Sequence, residues 1–151
     1  MKKVMIIYHS QEYGNTAKCA QLVAQGVRKA GAIEVELINT NEVQRVDMRQ
    51  LAGCDGLAIG SLDYASYVAG TIKQLFDDMY MANKEGIPVR GKPCVLFMTH
   101  GGGGRGVAAL KQLARHFKLL AEPFTCQGAP EDDCPGAVEL GEKLGRAVLG
   151  A

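Results

Sequence analysis

Apolar and polar positions along the chain fall into blocks with two different periods. Val4–Tyr8 is a near-continuous apolar run of strand length. Beyond a polar turn, Ala20, Val23, Ala24 and Val27 recur at helical spacing, which predicts a helix over 16–30 stopped by Gly31. Ile33, Val35 and Leu37 alternate with Glu34 and Glu36, the pattern of a half-exposed strand near a sheet edge. A short helix is predicted over 47–52 and a third strand over 56–60. Val68, Ile72, Leu75, Phe76 and Met79 line one face of the next helix, whose other face carries Lys73, Gln74 and a solvated Asp77–Asp78 pair. A turn with Gly86, Pro88 and Gly91 leads to a fourth strand over 93–98, apolar enough to be buried on both faces. Val107, Leu110, Ala114 and Phe117 mark a fourth helix, and 119–126 a weaker fifth strand interrupted by Pro123. Ala137, Leu140, Leu144 and Val148 predict the closing helix.

Five strands alternating with helices require parallel pairing through right-handed crossovers. The expected fold is α/β: one three-layer, doubly wound domain over 1–151, with a five-stranded parallel sheet in the order 2-1-3-4-5. Such sheets bind ligands beyond the carboxyl ends of their strands. Three unusual loops follow strands one, three and four, which are neighbours in that order, so the loops converge.

The first loop holds Ser10, Gln11, Glu12, Tyr13, Gly14, Asn15 and Thr16. Hydroxyls and free N–H groups at a helix start suit a phosphate. The second holds Ser61, Leu62, Asp63, Tyr64 and Tyr67, with aromatic surface for a flat ring. The third holds Thr99, His100, Gly101, Gly102, Gly103, Gly104 and Arg105, where glycines allow close backbone approach. His9 and His100 flank the site; His9 is expected at the surface or satisfied in the core, and Arg105 solvated at a helix start.

Charge narrows the partners. Seventeen basic residues face 16 acidic ones, without the basic stripe of a nucleic-acid binder. No apolar run approaches a membrane span, and the first residues lack a signal peptide's apolar region, so a cytoplasmic protein is expected. The five cysteines lack zinc-site spacing; all read as thiols, although Cys126 and Cys134 flank one loop and could meet. No metal is expected.

The three loops together resemble the flavodoxin-like family. Ser10–Thr16 looks like its phosphate loop, Gly60-Ser61-Leu62-Asp63-Tyr64 with the helix from Gly70 to Asp77 its second flavin loop, and Thr99–Gly104 the glycine-rich third loop of the quinone-reductase branch. The resemblance implies non-covalent FMN, the first loop on its phosphate and the other two flanking the ring. Implied contacts are Ser10, Gln11, Tyr13, Gly14, Asn15, Thr16, Ser61, Leu62, Asp63, Tyr64, Tyr67, Thr99, His100, Gly101, Gly102 and Gly103. It also implies an electron-transfer protein, with no catalytic side chain, acting on a redox partner or a small electron acceptor. An FMN-dependent NAD(P)H:quinone-type oxidoreductase is the alternative. Homo-oligomer formation stays open.

The chain departs from the family pattern. Gly14 lies four positions after Ser10 where the family has three, leaving Ser10 or Gln11 in the first hydroxyl position. Glu12 brings a carboxylate to the phosphate unless it turns outward. Leu62 replaces a common proline, and there is no tryptophan to stack on a flavin. A flavin-free receiver domain, on a similar sheet, needs an acidic pair after strand one that this chain lacks.

Overall fold

The computed structural model describes every residue except Glu12, Gln44 and Ala151. Strands β1 (Lys2–Tyr8), β2 (Ile33–Asn39), β3 (Gly56–Leu62) and β4 (Pro93–His100) form a parallel sheet in the order β2-β1-β3-β4. Two short segments, β5 (Lys118–Leu119) and β6 (Phe124–Gln127), share the remaining position beside β4, both parallel to it. This is the expected 2-1-3-4-5 arrangement, with the fifth strand in two pieces. Between Leu119 and Phe124 the chain advances five residues while β4 advances only from Cys94 to Phe97. Pro123, which has no N–H for a ladder, lies in that excursion.

Helices α1 (Asn15–Ala30) and α5 (Pro135–Leu149) cover one face of the sheet, and α2 (Met48–Gly53), α3 (Gly70–Lys84) and α4 (Val107–Leu113) the other. Successive strand side chains enter opposite cores. Met5, Ile7, Leu57, Ile59, Leu96 and Met98 meet the α2–α4 side, while Val4, Ile6, Ala58, Val95 and Phe97 meet α1 and α5. The alternation in β2 also holds, for it is a sheet edge with most positions half-buried.

α4 is shorter than expected. Ala114 and Phe117 continue its apolar spacing and are buried, but they lie past its end. There the Phe117 N–H donates to the Ala114 carbonyl in a tight turn (3.0 Å). Burial, not helicity, produced the pattern.

α1 and α5 approach closely enough to exclude side chains. A Cβ on Gly26 would lie 1.9 Å from the Val138 carbonyl oxygen, and one on Gly141 2.0 Å from that of Val23. This contact fixes α1, and α1 carries the first loop at its N-terminus. All five cysteines are free thiols, Cys126 and Cys134 included.

Candidate functional site

β1 delivers His9 and Ser10 to the carboxyl edge of the sheet, both buried. Asn39, at the end of neighbouring β2, grips Ser10 from both sides. Its Oδ1 accepts the Ser10 N–H (3.0 Å) and its Nδ2 donates to the Ser10 carbonyl (3.2 Å). Ser10 Oγ accepts the N–H of Ala17 in the first turn of α1 (3.1 Å), so its own proton is free for a ligand.

Gly14 is the N-cap of α1, in the left-handed region at φ 67°. A Cβ there would meet nothing within 4 Å, so conformation rather than space calls for glycine. The N–H groups of Asn15 and Thr16 begin the helix without a side-chain cap, and the first turn has no acidic residue. The helix end thus presents partial positive charge. The question of Glu12's orientation lies outside the described residues.

A cavity of about 190 Å³ opens there, lined by Ser10, Gln11, Tyr13, Gly14, Asn15, Leu62 and Tyr64. All seven are residues singled out from sequence. Tyr13, 85% exposed, stands at its mouth.

Other expected contacts sit elsewhere. The Thr16 and Thr99 hydroxyls are buried against one another (2.7 Å), bracing the first loop on the third. Ser61 Oγ donates to the Leu62 carbonyl and accepts the Ala69 N–H, bracing the start of α3. These three hydroxyls hold the loops together. Replacing Thr99 by valine should cost about 1–3 kcal/mol by stranding the buried Thr16 hydroxyl. The Thr16→Val/Thr99→Val double variant should lose less than the two single losses added, which denaturant melts of the three variants would measure.

In the second loop, Tyr64 and Tyr67 exchange backbone hydrogen bonds (2.9 Å each) around Ala65 and Ser66, whose φ values of 51° and 64° are left-handed. Such a turn ordinarily selects glycine or asparagine. The Tyr64 ring meets His9 edge-on at 6.1 Å. The third loop leaves β4 at His100 and turns through Gly103 and Gly104, both at positive φ. Gln127, at the end of the fifth strand, donates to the Gly101 carbonyl (3.1 Å). Asp63, Ala65, Ser66, Gly102, Gly103 and Arg105 line a groove between the second and third loops. Arg105 is exposed, as expected of a residue just before a helix, and borders this groove. A Cβ on Gly106 would lie 2.7 Å from the Tyr67 carbonyl oxygen, so these loops touch.

Asn39 and Gln127 were not legible as site residues, and His9 was legible only as flanking the site. The first two come from strand ends that only the sheet order brings near. His9 is 5% exposed, with one ring nitrogen partnered. Thr40 Oγ1 donates to the Tyr8 carbonyl, so it must accept from the Thr71 hydroxyl, which in turn accepts from His9 Nδ1–H (2.6 Å). This order of protons fixes the neutral tautomer and leaves Nε2 as a bare acceptor. Burial lowers the imidazole's proton affinity. Since the unfolded chain binds that proton more readily, stability should fall as pH drops below about 6.5, by at most about 1.4 kcal/mol per unit. Melts of wild type and His9→Gln between pH 7 and 5 test this, the variant showing the shallower slope.

Among the described residues, the buried side-chain nitrogen and oxygen atoms without a partner are His9 Nε2, Asp63 Oδ1 and His100 Nδ1. His9 immediately precedes the first loop, Asp63 lies in the second and His100 in the third. Buried polar groups are ordinarily satisfied, so each orphan calls for a partner such as a water or a bound group.

No family model matches the chain. It is 37% identical over 106 residues to a flavodoxin of Aquifex aeolicus (strain VF5), an alignment covering 70% of this chain and 54% of that one. It is 31% identical over 84 residues to a flavodoxin of Clostridium saccharobutylicum, covering 56% and 50%. The chain thus spans about half the length of these curated relatives. A solved flavodoxin from the domain Archaea superposes with a TM-score of 0.82 over 97% of this chain and 99% of its own, at 18% identity. With strand order, loop placement and sequence likeness in agreement, the chain belongs to the flavodoxin-like family.

Proposed function

We propose that the three loops bind FMN and that the protein transfers electrons through it to a redox partner or small acceptor. One observation carries the reading: the orphaned buried atoms of His9, beside the first loop, and of Asp63 and His100, in the second and third, lie at a single edge of the sheet. The residues fit the group in kind. A phosphate suits the Asn15 and Thr16 N–H groups and the free Ser10 hydroxyl proton. Leu62, Tyr64 and Tyr13 offer apolar and aromatic surface to a ring. The N–H groups of Gly101–Gly103 and the His100 ring offer donors to its polar edge. Bound FMN supplies the redox chemistry, and the protein binds, orients and shields it.

Support for the reading comes from the curated flavodoxins that the chain resembles. No helix among the described residues is long and apolar enough to cross a membrane. We place the protein in the cytoplasm, a reading favoured by five free thiols.

The test is titration of apoprotein with FMN and with riboflavin. FMN should bind at least about tenfold more tightly, as expected when one or more charge-assisted hydrogen bonds reach its phosphate. Equal affinities reject the assignment of the first loop. Adding NADH or NADPH to the loaded protein then asks whether it accepts hydride directly, as the oxidoreductase alternative requires.

A further inference from the structure

At the opposite end of the sheet, where strands begin, lies a cavity of about 200 Å³ between α3 and the turn that joins α4 to β5. Phe76, Met79 and Phe117 are buried and form its apolar floor, with Tyr80 at the rim. Arg90, Arg115 and His116 stand over that floor. The backbone holds them together. The Gly91 N–H donates to the His116 carbonyl (3.0 Å) and the Lys118 N–H to that of Lys92 (2.9 Å). Arg115 is steadied by one bond from its guanidinium to the Gln112 carbonyl (2.9 Å), which leaves further N–H groups free.

Neither Arg90 nor Arg115 pairs with a carboxylate among the described residues. Asp77, the carboxylate on the cavity wall, is paired with Lys73 one turn earlier. Partial desolvation and the nearby charges of Arg90 and Arg115 depress the proton affinity of His116. Two guanidiniums and an imidazole above an aromatic floor make a site with charge at one end and apolar surface at the other.

We propose that this cavity is a second ligand site, for a small aromatic anion whose ring lies against Phe76, Met79 and Phe117 and whose phosphate or carboxylate sits among Arg90, Arg115 and His116. Guanidinium groups take either anion in paired hydrogen bonds. The inference does not rest on FMN binding, since the two sites share no residue.

Phenyl phosphate and benzoate are the probes, followed by NMR on the protein as purified, with inorganic phosphate and phenol as the two halves. One aromatic anion or both should cause saturable shifts at His116, Arg90 and Tyr80, and their relative affinities identify the preferred anion. Inorganic phosphate and phenol should each bind about tenfold or more weakly. The Arg90→Gln/Arg115→Gln variant should weaken binding by about tenfold or more while keeping its unfolding midpoint, both side chains being exposed. Asp77→Asn should tighten binding. Inorganic phosphate matching phenyl phosphate, binding that survives loss of both arginines, or no saturable shift with either aromatic anion would overturn the proposal.

Discussion

Gly141→Ala is expected to destabilise the protein by about 3 kcal/mol or more, a large part of the roughly 5–15 kcal/mol that holds a typical domain folded. Within a helix the exchange should help, since alanine is favoured over glycine by about 1 kcal/mol. Here the new methyl would lie 2.0 Å from the Val23 carbonyl oxygen and 2.9 Å from the Val27 nitrogen. Both are backbone atoms of α1, which cannot rotate aside as a side-chain end can. α1 and α5 must separate, opening the core that Val23, Val27, Leu140 and Leu144 close. Gly70→Ala is the matched control, because a Cβ on Gly70 meets nothing within 4 Å and the residue opens α3. Denaturant melts should show Gly141→Ala far less stable than wild type and Gly70→Ala equal or more stable. Equal melts for all three would mean the helices are farther apart than described.

Asn15→Asp should separate stability from affinity. Asn15 is the first residue of α1 and lines the cavity of the first loop. A carboxylate at a helix start interacts favourably with the dipole, so the apoprotein should gain about 0.3–1 kcal/mol. The same carboxylate beside a bound phosphate is repulsive. At about 4 Å, two unit charges repel by about 1 kcal/mol in water and about 4 kcal/mol near a protein surface. FMN affinity should therefore fall about fivefold to several-hundredfold, with riboflavin affinity unchanged. Calorimetric titration with both flavins, beside a melt of the apoprotein, gives all three quantities. Equal weakening for both flavins would place the phosphate elsewhere.

β1, β3 and β4 were legible because strands buried on both faces are apolar at nearly every position. α1 was legible because its buried side recurs at helical spacing. The convergence of three loops followed from the strand order 2-1-3-4-5, one of the common orders of the doubly wound sheet that alternation implied. What escaped depends on contacts remote in sequence. Pro123 announced an interruption, but which β4 residues pair on either side of it depends on packing. Gly26 and Gly141 read as weak helix formers until the opposing backbone is seen. Thr16 and Thr99 carry hydroxyls suited to a ligand, and only the structure shows them buried and bonded to one another at 2.7 Å. His9 is the converse case. A histidine after a strand is unremarkable until Thr71 and Thr40 dictate which nitrogen stays bare.

The two margins of the sheet have a bearing on behaviour in concentrated solution. An unpaired strand edge is a template on which another copy can add by backbone hydrogen bonding. At one margin, β2 carries Glu34 and Glu36, and Glu36 is held by Lys3 (2.9 Å). A second copy laid alongside would bring like carboxylates together. At the other margin the detour around Pro123 leaves no straight run longer than the four residues of β6. Neither side presents a long, flat, uncharged edge, and this resists the stacking that leads parallel sheets into fibrils.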